Sequence, residues 1–276
     1  MIILIGTITL VVIGYLVGVG LVYAGKKFAV ETDPREAEVR EALPGNNCGA
    51  CGYAGCDAMA AAIVKGEAPV NGCPVGGKSA ADAIANIMGT SAGETKTYTA
   101  FVRCSGTCDV TRMQGNYIGI EDCRSAMLSG LNLTECAYGC IGLGSCAKVC
   151  PQGAIRVNKG VAEVDRNKCV GCGLCVKACP KGMIKLIPSD SYVSVKCSSK
   201  DKGAQVRKKC AAGCIGCGLC AKQCEQGAIS VTDNLAHIDY EKCVQCGACV
   251  DKCPAKVITR PLMHATDSKQ ANSAVN

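Results

Sequence analysis

"CVGCGLCVKACP" fills residues 169–180 and "CVQCGACVDKCP" fills residues 243–254. Each has the form Cys-x2-Cys-x2-Cys-x3-Cys-Pro, in which three cysteines hold one four-iron cluster and the fourth crosses to a neighbouring cluster. Each run therefore needs a companion upstream. The companions are "CIGLGSCAKVCPQGAI" at 140–155 and "CIGCGLCAKQCEQGAI" at 214–229, one stretch written twice. Between companion and run lie "AIRVNKGVAEVD" and "AISVTDNLAHID", whose alternation predicts two hairpins, the second turning at Asp233 and Asn234. In the second copy, Cys214, Cys217, Cys220 and Cys253 are expected to bind one cluster, and Cys224, Cys243, Cys246 and Cys249 another. In the first copy Leu143 stands where Cys217 stands in the second. Cys136, one helical turn before Cys140, is the expected replacement, giving Cys136, Cys140, Cys146 and Cys179, with Cys150, Cys169, Cys172 and Cys175 as the other set.

A further set opens the soluble part of the chain. "NNCGACGYAGC" supplies Cys48, Cys51 and Cys56, and Cys73-Pro74 closes the four, with glycines that let backbone amides turn toward a cluster. The segment from Cys56 reads as a helix. These sets use 20 of the 25 cysteines, and Cys104, Cys108, Cys123, Cys197 and Cys210 remain. We read the remainder as inert thiols, with a sixth site as the alternative. The cofactor expectation is thus at least five 4Fe-4S clusters.

Composition excludes a disulfide scaffold, because cysteines two or three residues apart converge on metal more readily than they pair, and thiolate ligands call for a reducing compartment. The hydrophobic fraction of 49% counts the cysteines, and only two Phe and no Trp are present. Modules so poor in large side chains depend on their cofactors for stability. His237 and His264 are read as surface residues. Nucleic acid is not an expected partner, since five clusters at about −2 each would turn the formal charge of +7 to about −3. "CAAGCIGC" at 210–217 matches the Cys-x3-Cys-x2-Cys spacing of radical S-adenosylmethionine enzymes, but Cys220 and Cys224 continue the cluster run and no barrel pattern follows.

Residues 2–25 carry no charge and would extend about 36 Å as a helix, enough to cross a bilayer. Lys26 and Lys27 follow, so the positive-inside rule places the remainder in the cytoplasm, as a single-pass protein of the cytoplasmic membrane. Asp33, Pro34 and Glu36 predict a short capped helix ending at "LPG", 43–45. Gly, Ser and Thr in 78–97 suggest a hinge. The expected fold class is α+β: a transmembrane anchor (1–26), a small helical 4Fe-4S domain with spacer and hinge (27–90), a connecting segment (91–135) and two tandem bacterial-ferredoxin-like modules (136–190 and 191–276).

The order of these parts, with "CGACGYAGC", "RCSGTC" and "CAYGCIGLGSCAKVCP" ahead of two ferredoxin runs, resembles the B subunits of Rnf complexes, the ion-translocating ferredoxin:NAD oxidoreductases. The resemblance covers nearly the whole chain. It implies an electron-transfer subunit of a translocase with no substrate-converting site of its own. Its expected partners are reduced soluble ferredoxin, other membrane and flavin-bearing subunits, and the lipid bilayer. A polyferredoxin of a hydrogenase or formate-oxidising complex and a zinc-binding interaction protein are the alternatives. Glu225 departs from the pattern, where proline follows the last cysteine. Lys177, Lys181, Lys222, Lys252 and Lys256 flank the runs and suit an acidic ferredoxin.

Overall fold

A computed structural model describes residues 2–27, 33–93, 97–130 and 133–260. The N-terminal segment forms α1 (Ile2–Lys27), whose described apolar side chains, from Ile5 to Tyr23, stand exposed. Among the described residues no helix is long and apolar enough to cross a membrane, and several side chains of α1 lie outside that set.

Three helices build the first soluble unit: α2 (Pro34–Ala42), α3 (Cys56–Val64) and α4 (Gly77–Met88). Asp33 caps α2 as the sequence predicts, its carboxylate accepting from the Arg35 N–H at 2.9 Å. Val39, Met59, Ile63 and Ile84 form the core between the helices. The hinge expected over 78–97 is corrected for most of its length. Residues 77–88 are helical because Ala80, Ala81, Ile84 and Ala85 make one buried stripe, which Gly89 ends in the left-handed conformation.

The remainder is one architecture built twice. In the first copy, β1 (Tyr98–Val102) leads through α5 (Cys123–Leu128) and α6 (Ser145–Lys148) to the hairpin of β2 (Ile155–Asn158) and β3 (Val161–Val164). Then α7 (Leu174–Ala178) leads to β4 (Ile184–Pro188), which pairs antiparallel with β1, Val102 opposite Ile184. In the second copy, β5 (Ser194–Val195), α8 (Gly203–Lys209), α9 (Leu219–Gln223), hairpin β6 (Ile229–Thr232) with β7 (Leu235–Ile238), α10 (Ala248–Asp251) and β8 (Ile258–Thr259) follow in the same order. β5 pairs with β8, Val195 opposite Ile258. Both predicted hairpins form, and Asp233 and Asn234 take φ of 51° and 60° at the second turn. The segment expected only to connect the modules thus supplies β1, the first copy's edge-closing strand.

Each copy buries its own small core, Ala100, Ile155, Met183 and Ile184 in the first and Val193, Leu235, Val257 and Ile258 in the second. Between β1 and Cys140 the first copy carries a longer loop than the second does. That loop crosses to the second copy, where Thr111 bridges Cys210 and the Ala211 N–H donates to Val110 O at 2.9 Å. His237 sits half-buried on β7 rather than on the open surface, and burial first, then Arg103 and Lys185, lower its pKa. His264 lies outside the described residues.

Candidate iron-sulfur sites

Short left-handed turns place the cysteines. Gly142 and Gly216, at φ 83° and 66°, bring each companion stretch against its own hairpin turn. A Cβ at Gly142 would stand 2.4 Å from Gly160 O, and one at Gly216 would stand 2.9 Å from Asn234 O. Glycine is required there twice over, by conformation and by space.

Three cavities of ≈ 20 Å³ each are ringed by four cysteines. In the second copy the ring is Cys214, Cys217, Cys220 and Cys253, the set read from the sequence. In the first copy it is Cys123, Cys140, Cys146 and Cys179. The structure therefore places Cys123, not Cys136, where Leu143 leaves the gap. Burial pushes the Cys146 thiol up to about 11, with Cys140, Cys123 and Cys179 adding to it. Cys123 reaches the ring because Asp122 both caps α5 and holds Ser145. Its carboxylate accepts from the Ser125 N–H at 2.9 Å and the Ser145 hydroxyl at 2.7 Å, while Ser145 Oγ accepts from the Cys123 N–H at 2.7 Å.

Cys136 stands apart from that ring: residues 135–140 form a turn, not a helix, with the Gly139 N–H donating to Cys136 O at 3.0 Å. It lines the third cavity with Cys104, Cys197 and Cys210. None of these four belongs to a ferredoxin run, yet the set obeys the repeat. Val102-Arg103-Cys104-Ser105 after β1 matches Val195-Lys196-Cys197-Ser198 after β5, and Cys136 matches Cys210. Each copy contributes the same two cysteines, so the cavity sits at the junction of the copies. Burial pushes Cys210 up to about 11, with Cys136, Cys104 and Cys197 adding to it. The paired "V-R/K-C-S" stretches were the available signal for this set, and spacing alone missed them.

The remaining sets line none of these three cavities. Burial raises the Cys73 thiol, and Cys51 and Cys56 add to the rise, while the Gly76 N–H donates to Cys73 Sγ at 3.4 Å. Cys175 is pushed up to about 12 by burial and then by Cys169, Cys172, Cys146 and Cys150. Cys249 is pushed up to about 11 by burial, then by Cys243, Cys220 and Cys246, and Cys224 packs at the edge of the same core. Cys108 is exposed and belongs to no set.

The sets follow one another. Cys48 lies near enough to Cys172 for its charge to add to the rise that burial begins, and Cys146 does the same for Cys175. The Cys140 N–H donates to Cys104 Sγ at 3.5 Å and the Cys214 N–H donates to Cys197 Sγ at 3.3 Å, which ties the junction set to both copies. Cys220 then neighbours Cys249.

A cubane needs thiolates spread around a volume, whereas a zinc ion needs them drawn to about 2.3 Å from one point. The cavity rings fit the first requirement, and among the described residues no three His, Cys, Asp or Glu side chains converge closely enough to hold one ion. The class these features define is that of multi-site iron-sulfur proteins built on duplicated dicluster ferredoxin modules. Comparison with known proteins agrees. Residues 43–75 match an Fe-S cluster family, and 138–183, 213–257 and 168–228 match families described as 4Fe-4S dicluster domains.

The chain is 48% identical over 249 residues to the B subunit of the Na(+)-translocating ferredoxin:NAD(+) oxidoreductase complex of Acetobacterium woodii, covering 90% of this chain and 75% of the relative. It is 43% identical to the B subunit of the ion-translocating oxidoreductase complex of Methanosarcina acetivorans, covering 89% and 94%. To the B subunit of the proton-translocating ferredoxin:NAD(+) oxidoreductase complex of Clostridium ljungdahlii it is 42% identical, covering 95% and 94%. The chain belongs to the family of B subunits of these Rnf-type complexes.

Proposed function

We propose that this chain is the iron-sulfur subunit that receives electrons from reduced soluble ferredoxin and delivers them to membrane subunits of an ion-translocating ferredoxin:NAD oxidoreductase. The observation that carries the reading is the unbroken succession of cysteine sets from Cys48 to Cys246. In it, Cys48, Cys51, Cys56 and Cys73 hold one cluster; Cys123, Cys140, Cys146 and Cys179 a second; Cys150, Cys169, Cys172 and Cys175 a third; Cys104, Cys136, Cys197 and Cys210 a fourth at the junction. Cys214, Cys217, Cys220 and Cys253 hold a fifth, and Cys224, Cys243, Cys246 and Cys249 a sixth. Bound there, the clusters supply one-electron chemistry without proton transfer. The polypeptide's part is to fix the sites in sequence, donate amides to their sulfurs and exclude water.

α1 supports membrane attachment, because a helix apolar on every side has no aqueous resting place, and Lys26 and Lys27 favour the cytoplasmic face for the cluster units. Lys177, Lys222, Lys252 and Lys256 are exposed beside the runs and available to an acidic ferredoxin. Lys181 is committed elsewhere, its ammonium donating to Ala137 O at 3.0 Å and Gly139 O at 3.3 Å.

Anaerobic reduction by soluble ferredoxin tests the reading. Visible absorbance of the purified chain should bleach on mixing and recover when an oxidised membrane partner is added. A colourless protein, or one that ferredoxin leaves unbleached while dithionite reduces it, would overturn the assignment.

A further inference from the structure

The junction cavity differs from the two cysteine-ringed cavities beside it in ways that bear on the electron affinity of whatever its sulfurs hold. Four backbone amides donate to its sulfurs: Gly106 N–H at 3.4 Å and Cys140 N–H at 3.5 Å to Cys104, and Ser199 N–H at 3.4 Å and Cys214 N–H at 3.3 Å to Cys197. Cys136 and Cys210 have further backbone contacts with Tyr138 and Ala212. In the first copy's ring Cys179 accepts from the Met183 N–H at 3.3 Å, Cys140 has backbone contacts with Ala162 and Gly142, and Cys146 has one with its own amide. In the second copy's ring the backbone contacts are those of Gly216 and Ala236 with Cys214 and of Ala221 with Cys220.

Charge points the same way. Arg103, Lys196 and Lys209 line the junction cavity along with Asp201. Lys209 pairs with Asp201 at 2.8 Å, which leaves Arg103 and Lys196 as the net positive contribution. These two are equivalent positions of the repeat, each one residue before its cysteine. Among the described residues, Lys181 is the one charged side chain lining the first copy's ring, and none lines the second's. Burial separates the junction, where Cys197 is the buried cysteine of the four, from the first copy's ring, where Cys123 and Cys146 are buried; it does not separate it from the second copy's ring, where Cys214 and Cys220 are buried but Cys217 is exposed.

Amide donors, nearby cations and solvent contact all stabilise the extra negative charge that a cluster gains on one-electron reduction. We propose that Cys104, Cys136, Cys197 and Cys210, with Arg103 and Lys196, make the junction the most easily reduced of these three sites, so that an electron rests between the two modules rather than at either flank. This rests on the reading that the junction set holds a cluster. The electron comes one at a time from a low-potential donor, dithionite in the test and reduced ferredoxin in the proposed reaction. The site takes up that single electron and loses it again in passing it on.

The test is a stepwise anaerobic titration of the full chain with dithionite, followed by electron paramagnetic resonance and paired with iron analysis. Cys210→Ala should lose about four iron atoms and the signal that appears earliest among the three sites, while Cys123→Ala and Cys217→Ala should each lose a later one. Arg103→Gln and Lys196→Gln, which remove no ligand, should keep the parent's iron and move that earliest signal alone to lower potential. They also hold the inference open to refutation if a cysteine variant fails to fold. If Cys210→Ala loses its iron but the missing signal is the latest of the three, or if neither charge variant moves the earliest signal, the potential ordering is wrong while the ligand reading stands. If Cys210→Ala keeps all its iron, the ligand reading falls and the inference with it.

Discussion

Cys123 shows how one residue completes a site from outside its repeat. Its backbone N–H is fixed by Ser145, which precedes Cys146 in α6, so the two cysteines proposed as ligands are located by the same hydroxyl. Cys123→Ala should therefore lose about four irons from the first copy's cavity, and Cys136→Ala about four from the junction, with different spectra missing in the two variants. Identical difference spectra would mean that the two cysteines serve one site. Gly142→Ala gives a second prediction. Both its φ of 83° and the 2.4 Å approach to Gly160 O forbid a side chain, so the variant should lose roughly 1–3 kcal/mol of stability, seen as earlier thermal bleaching of the visible absorbance. A melting curve matching the parent would show that the loop moves away from its hairpin freely. Of the cysteines, those in Cys-x2-Cys runs are legible because local spacing alone brings them together. Cys123 and Cys136 are not, since one depends on a capped turn 22 residues from its partner Ser145 and the other on a turn read as a helix.

At the scale of elements, the hairpins and the Asp33 cap follow from short-range rules, and the sequence displays them openly. The helix over Gly77–Met88 was obscured because its small residues resemble a linker by composition, although Ala80, Ala81, Ile84 and Ala85 keep helical spacing. Ile84 is 0% exposed against α2 and α3, so Ile84→Ala should cost about 2–5 kcal/mol. In so small a unit that loss should release one cluster's iron and leave the ferredoxin-like copies intact. Retention of all iron with unchanged protease resistance would show that this core is not what holds the N-terminal site. The pairing of β1 with β4 was hidden for another reason: its partner lies more than 80 residues away, and the intervening cysteine runs carry no trace of the strand register.

Over the whole molecule, the duplication places two equivalent cysteines from each copy at a shared cavity, which on the proposed reading joins two two-site modules into one line. The exposed lysines beside the runs give that line a cationic approach. Electron uptake from an acidic ferredoxin should accordingly slow as salt rises from about 0.01 M to 0.15 M, where the screening length falls from about 30 Å to 8 Å. A rate independent of ionic strength would remove these lysines from the docking account.

Six cysteine sets, the junction among them, are proposed to hold clusters in one continuous chain. The most direct test is the iron and acid-labile sulfide content of anaerobically purified, fully loaded protein, measured beside its Cys136→Ala variant. The account predicts about 24 of each per parent chain and about 20 in the variant. A parent value near 20 that Cys136→Ala leaves unchanged would contradict it, because the two copies would then meet without a cluster between them.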